Sequence, residues 1–464
     1  MRERTAAPGA TVVPNVFGHT DSTLADERTG MSVIPAAVDE SSGPPTAIPL
    51  AHFLVALAYL VAGVATAAVT TGWAGQVAHV HLFVAGWICL TILGAMTQFV
   101  PVWSGVSLHS RRLAILQLPL AGLGFAGLAA GFLTGALGLL PIAGVLAVAG
   151  VWLFAYNLAR TLAGARPFDA TESHFVVAVG WFVVVTTLGM VLAIDFAASA
   201  LPVAGLTHAT VRSAHATAAI FGAVLTTVLG ALYQLATMFT QTELGPVERR
   251  FQRVETLAYP VGVAALVVGR LFGVAPIARA GGVVVALSVL GIAVVVANRL
   301  RQTRVEWTPM LTRYGLAAAG LGVWAVPALV GWSRNALGPA VTFGGPATGS
   351  LLLAGGLAFV VLGTLYHIVP FLVWVDRYSD QVGLEPVPTV DDLYLDRLAV
   401  VDGVAYTAGI ALVVLGSVAP TLLPSPTITA GWGLAGLGAL AFAANLLLVV
   451  VEHGDYSVGT LVSA

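Results

Sequence analysis

The sequence predicts an all-α protein, a polytopic membrane bundle of about twelve transmembrane helices built from three repeats of a four-helix unit. Three observations carry this reading. Of 464 residues 58% are hydrophobic and only 9% are charged, against about 25% charged in an ordinary soluble domain. Apolar stretches recur at the length of about 20 residues that a helix needs to cross the hydrocarbon core. Short polar signatures return along the chain in a fixed order. The 52 glycines fit the same class, because small residues let helix backbones approach closely in lipid. A net charge of −2 argues against nucleic acid as a partner. The basic residues are all Arg, which reflects genome bias. The one cysteine, Cys89, excludes an intrachain disulfide.

In chain order, residues 1–48 are polar and rich in Pro, Thr and Ser, and predict a disordered cytoplasmic tail without a signal peptide. The apolar stretches then place helices near 49–70, 77–101, 113–134 and 138–163, a first unit over 49–163. A second unit, 173–300, holds 173–197, 206–239, 256–273 and 276–300. A third, 313–452, holds 313–332, 346–375, 398–419 and 425–451. The segments after the even-numbered helices carry Arg111, Arg112, Arg160, Arg166, Arg249, Arg250, Arg253, Arg299, Arg301, Arg304, Arg313, Arg377 and Arg397. The opposite side offers Arg212, Arg270, Arg279 and Arg334. By the positive-inside rule both termini are cytoplasmic, in a multi-pass protein of the cytoplasmic (inner) membrane.

Three signatures define the repeat. The second helix of each unit contains LGAMTQFVP at 93–101, LGALYQLAT at 229–237 and LGTLYHIVP at 362–370. The fourth ends on FAYNLARTL, VVANRLRQT or AFAANLLLV, which aligns Asn157, Asn298 and Asn445. The first helix of two units opens on AHFLVALAYL at 51–60 and SHFVVAVGWF at 173–182.

Function is sought among polar side chains inside the spans, since each costs free energy in lipid. His79, His81, His208 and His215 fall early in the second and sixth helices, toward the outer leaflet. His52, His174 and His367 fall toward the cytoplasmic ends, where Gln98 and Gln234 align with His367 and complete a candidate inner polar cluster. Imidazole is a common metal and heme ligand, which favours the outer group as a cofactor site. His79 and His81 are two residues apart and point about 200° from each other on a helix, so they serve different sites. Of the two, His81 lies deeper and is the candidate to share an interior metal with His215. His208, Arg212 and His215 share one helix face, and Arg212 calls for a carboxylate, from a heme propionate or from Asp195. The bland alternatives stay open: His52 and His174 as interfacial anchors, His208 as a loop-end residue, and His367 as a hydrogen-bonding group between helices.

Residues 79–105, HVHLFVAGWICLTILGAMTQFVPVWSG, resemble the second-helix signature of the NnrS family. His79, His81, Gly86, Gly94, Pro101, Trp103, Ser104 and Gly105 occupy its marked positions. The resemblance implies a twelve-helix protein associated with heme and copper and linked to nitric oxide metabolism. The layout is also similar to subunit I of heme–copper oxidases, in which three four-helix arcs carry heme ligands on the second and tenth helices. His215, within SAHATAAIFG, is similar to the later His of the NnrS pattern or to the oxidase copper ligand. Several oxidase positions are changed. Residues 256–273 hold no His, Thr348 and Ser350 stand where the tenth helix would carry its pair, and Ala219 replaces a Tyr. A complete oxygen-reducing centre is therefore not expected, and an enzymatic role is doubtful. The expectation is a heme-binding membrane protein, with copper as a second candidate cofactor, that handles or senses nitric oxide or another diatomic gas, or transfers electrons from a redox donor. The alternative is a transporter or channel with a polar path between repeats.

Overall fold

The computed structural model describes residues 44–345, 347–424 and 426–454. The expected tail lies outside them except at 44–48, and there the first helix has already begun at Ala47. Twelve helices are long and apolar enough to cross a membrane: α1 Ala47–Val69, α2 Gly72–Ser104, α3 Arg111–Thr134, α4 Leu137–Leu162, α5 Ala170–Ala198, α6 His208–Thr240, α7 Pro246–Leu271, α8 Ala275–Arg301, α9 Pro309–Asn335, α10 Gly349–Gln381, α11 Asp396–Val418 and α12 Thr427–His453. No β-strand is present among the described residues. Loops between consecutive helices are short, so neighbours run antiparallel. The even-numbered helices up to α10 end on one side, the arginine-rich end.

The largest departure from the sequence reading is α7, which starts ten residues earlier than its apolar stretch. Pro246 occupies its first turn and Glu248 caps the Gly245 N–H at 2.6 Å. The helix thus extends past the apolar window, and Arg249, Arg250, Arg253 and Glu255 are helical rather than in a loop. Two other arginines assigned to loops are buried inside the bundle, Arg299 and Arg313. Arg270, counted on the opposite side, is buried too. Their charges are met by protein groups, so they say less about orientation than a loop arginine does.

α2, α6 and α10 are the most buried helices, at 78%, 83% and 83%, and form the inside of the bundle. Each contains a π-helical stretch: His81–Cys89, Ala218–Val224 and Leu353–Leu357. Such widened turns often mark functional positions. The outer helices pair as hairpins through small residues. A Cβ on Gly124 of α3 would collide with the Ala147 backbone of α4, and one on Gly409 of α11 with the Ala435 backbone of α12.

The three aligned asparagines have a common task. Asn157 accepts from the Ser110 N–H and donates to the Ser110 carbonyl, both at 2.9 Å, which fixes the start of α3. Asn445 holds Leu395 before α11 in the same way, at 2.8 and 3.0 Å. Asn298 reaches α7 indirectly, donating at 2.7 Å to the Glu248 carboxylate that caps it. Removing such a group leaves the backbone N–H unpaired, at about 1–3 kcal/mol, while the Ser110 and Leu395 carbonyls keep the Ala114 and Ala399 N–H groups. Asn445→Ala is expected to lower the thermal midpoint in detergent by that cost, and an unchanged midpoint would refute the clamp.

Candidate functional site

The site begins with the two histidines near the start of α2. His79 turns toward α1 and α12. Its Nδ1–H donates to the Gly63 carbonyl at 2.8 Å, and its ring packs on Trp432 at 4.9 Å and Phe83 at 5.5 Å. His81 turns away from it. Its Nδ1–H donates to the Val77 carbonyl at 2.8 Å, its ring lies 5.4 Å from Phe132, and it lines a cavity of about 880 Å³.

α6 brings His208, Arg212 and His215 to that same cavity. His215 Nδ1–H donates to the Val185 carbonyl of α5 at 3.0 Å. Because a carbonyl only accepts, the proton in His81 and in His215 sits on Nδ1. Nε2 is then the unprotonated nitrogen left for a ligand in the cavity. Metal-bound imidazoles are commonly held in this way, one nitrogen tethered and the other free to ligate. His79 is not among the residues that line the cavity.

The expected Arg212–Asp195 pair is not formed. Asp195, near the end of α5, faces the first residue of α6 and pairs with His208 Nδ1 at 2.7 Å, while it also accepts the Leu201 N–H at 2.7 Å. Arg212, one turn further along, is exposed beside the cavity and has no ion pair among the described residues. Arg270, which the sequence reading missed as a site residue, also lines the cavity. It is 3% exposed and donates to Thr217 Oγ1 at 2.6 Å and to the carbonyls of Ala336, Thr342 and Val341 at 3.0–3.1 Å. An Arg within an apolar span was the available signal, since a buried charge without a carboxylate needs another purpose. Phe125, Phe132, Phe182 and Met190 supply apolar wall.

Positions aligned with this site along the chain are filled instead. His215 lies 136 residues after His79, and Thr348 lies 133 after His215. Beside His79 the space is taken by Trp432, Phe83 and Trp87. Beside Thr217, the buried Phe221, Trp324 and Trp332 pack together, with Arg270 over the Trp332 ring at 5.5 Å. Thr348 bonds the Phe343 carbonyl at 3.1 Å and the Gly345 carbonyl at 2.9 Å. No three His, Cys, Asp or Glu side chains among the described residues are grouped to hold a metal ion.

The inner polar residues do not form one cluster. No hydrogen bond joins any two of His52, His174, His367, Gln98 and Gln234 among the described residues. His52 and His174 anchor separate networks, His52 on α1 and His174 on α5. Gln117 Nε2–H donates to His52 Nε2 and to Thr97 Oγ1, both at 3.1 Å. His174 Nε2 meets Glu255 Oε1 at 3.2 Å, and Tyr233 donates to Glu255 Oε2 at 2.9 Å. A third network has the same form: Arg313 pairs with Asp402, which also accepts from Tyr366. His367 packs on Phe239 and Phe371 at 4.7 and 5.9 Å. Gln98 is buried with its Oε1 unpaired, and Gln234 makes a long 3.5 Å contact with Asp169. Thr97, Tyr233 and Tyr366 share one place in the LG-x-x motif, one residue before Gln98, Gln234 and His367.

No family model and no curated protein matches this chain. Among solved structures, the chain is similar to a heme-copper terminal oxidase from a dimer determined by cryo-EM. The TM-score is 0.61 at 14% identity, over 90% of this chain and 83% of that one. The fold is that of a heme–copper oxidase subunit, and the protein is a multi-pass membrane protein in contact with the lipid bilayer.

Proposed function

We propose that the protein binds heme in the cavity between α2 and α6 and uses it to handle or sense nitric oxide or another diatomic gas, or to pass electrons from a redox donor. The observation that carries this is the pair His81 and His215, each tethered through Nδ1 and each lining one largely apolar cavity. The cavity's volume of about 880 Å³ sits within the roughly 300–1,000 Å³ of small-molecule and cofactor sites. The donor set distinguishes heme from copper. A lone ion wants three or four protein donors, whereas a porphyrin brings four nitrogens and needs only one or two axial imidazoles. Heme therefore fits the residues present and copper fits them less well.

His81 or His215 would hold the iron, and Arg212, with Arg270 at the cavity edge, would face its carboxylates. The bound iron would supply a coordination position or a one-electron couple. The protein's own part is to fix both imidazole tautomers, to exclude water with Phe125, Phe132 and Phe182, and to offer positive charge at the mouth. The filled spaces beside His79 and Thr217 imply one heme per chain rather than two. In the orientation expected from the arginines, with both termini cytoplasmic, the cavity opens toward the outer side of the cytoplasmic membrane.

The test is the absorption spectrum of detergent-purified protein with iron, copper and porphyrin analysis. A Soret band with one iron and one porphyrin per chain is expected. A colourless preparation, or copper without porphyrin, would overturn the reading and favour a transporter or a copper protein respectively.

A further inference from the structure

The three polar networks at the arginine-rich end are built alike but differ in what they can do with a proton. Each joins a group on α1, α5 or α9, a hydroxyl on α2, α6 or α10 and a polar side chain on α3, α7 or α11: His52, Thr97 and Gln117; His174, Tyr233 and Glu255; Arg313, Tyr366 and Asp402. In the first, the third-helix partner is an amide, which neither gains nor loses a proton near neutrality. In the last, the guanidinium does not lose its proton, so a carboxylate beside it stays paired. Only the middle network sets two groups that both titrate against each other.

Its geometry assigns a single mobile proton. His174 Nδ1–H is committed to the Ala170 carbonyl at 2.7 Å. The contact between Nε2 and Glu255 Oε1 at 3.2 Å therefore contains one proton, on the imidazole or on the carboxyl. Both side chains are buried, at 0% and 1% exposure, and the pair is neutral in either form. Loss of that proton leaves a bare carboxylate beside neutral His174, held by the Tyr233 hydroxyl. A route to solvent is also present. Tyr233 belongs to the wall of a second cavity, of about 390 Å³, which opens among Asp169, Gln234, Glu243, Arg249 and Gln252 at the arginine-rich end. The first network has no carboxylate to load.

We propose that His174, Glu255 and Tyr233 form a proton-binding site filled from the arginine-rich end through this second cavity. On loading, the Tyr233 oxygen takes a proton from cavity water while its own proton passes to Glu255, leaving hydroxide to bulk buffer. Release is the reverse. The charged and titratable groups that face the pair are Asp169 at the cap of α5, Glu172 bonded to Ser104, Tyr233 on α6, and Tyr259 one turn beyond Glu255, whose hydroxyl donates to the Phe221 carbonyl at 2.6 Å. Glu243 and Arg249 border the cavity itself. The site stands apart from His81 and His215 and does not depend on heme.

The test is an infrared pH titration of the full chain in lipid vesicles, over the range of about pH 5–8 where an imidazole pair exchanges its proton. A carboxyl or imidazole transition is expected in the parent protein and is expected to vanish in Glu255→Gln. His174→Asn, which removes the imidazole partner, should abolish or displace it. Tyr233→Phe should retain the transition but slow hydrogen–deuterium exchange at the site by tenfold or more. Retention of the transition in both Glu255→Gln and His174→Asn would overturn the proposal, and so would unchanged exchange in Tyr233→Phe. Should Glu255→Gln fail to fold, His174→Asn carries the same decision. Heme content is read in parallel, so failure of the heme assignment is seen separately.

Discussion

Asp402→Ala is expected to lower the stability of the bundle by about 3–5 kcal/mol, the cost of leaving one member of a buried ion pair alone. Arg313 has its guanidinium beside Asp402, over the Tyr366 ring at 4.4 Å, and donates at 2.9 Å to the carbonyls of Pro309 and Ala399. Its side chain is 3% exposed, so water does not replace the lost carboxylate. Tyr366 loses its acceptor as well, and Asn445, which donates to the Tyr366 hydroxyl at 3.0 Å, loses its orientation. The double variant Arg313→Met with Asp402→Leu removes both charges and is expected to recover a large part of the loss. Thermal unfolding in detergent reads both. A single variant within ~1 kcal/mol of the parent would contradict a buried, otherwise uncompensated pair.

His81→Ala and His215→Ala are expected to reduce heme content severalfold or to convert its spectrum, whereas His79→Ala should keep the heme. The contrast follows from direction. His79 spends its ring on Gly63 and Trp432, away from the cavity, while His81 and His215 line it. His79→Ala should instead show a modest stability loss of about 0.5–1.5 kcal/mol from the lost hydrogen bond to Gly63. Equal heme loss in His79→Ala and His81→Ala, with both proteins folded, would defeat the assignment. Melting curves distinguish lost ligation from lost folding.

Helix number and most helix ends were legible in the sequence because span length and hydropathy are set by the bilayer. The failure at α7 has the same origin. Hydropathy marks where a helix enters lipid, not where it starts, so Glu255 was left outside the span that begins at Pro246. The two-face reading of His79 and His81 was legible because helical geometry fixes the angle between residues two apart. Partners across helices were not. Asp195 takes His208 rather than Arg212 because rotation and depth of neighbouring helices decide which side chains meet. The same holds for Gln117, Glu255 and Asp402, each on a third helix where no signature drew attention. Arg313 was counted among the loop arginines because the apolar stretch of α9 opens on Arg313 and Tyr314 rather than on a His. Its position matches His52 and His174 only once the networks are compared. The filling of two of the aligned spaces by tryptophans could not be read from periodicity, since a buried Trp looks the same in sequence wherever it packs.

A cryo-EM map of the purified full chain is the most direct measurement of the heme site. Planar density between α2 and α6, with its metal within bonding distance of His81 or His215 Nε2 and its carboxylates toward Arg212, is the result expected. Lipid or water in that cavity, with both Nε2 atoms unligated in protein that retains its iron and porphyrin, would contradict it.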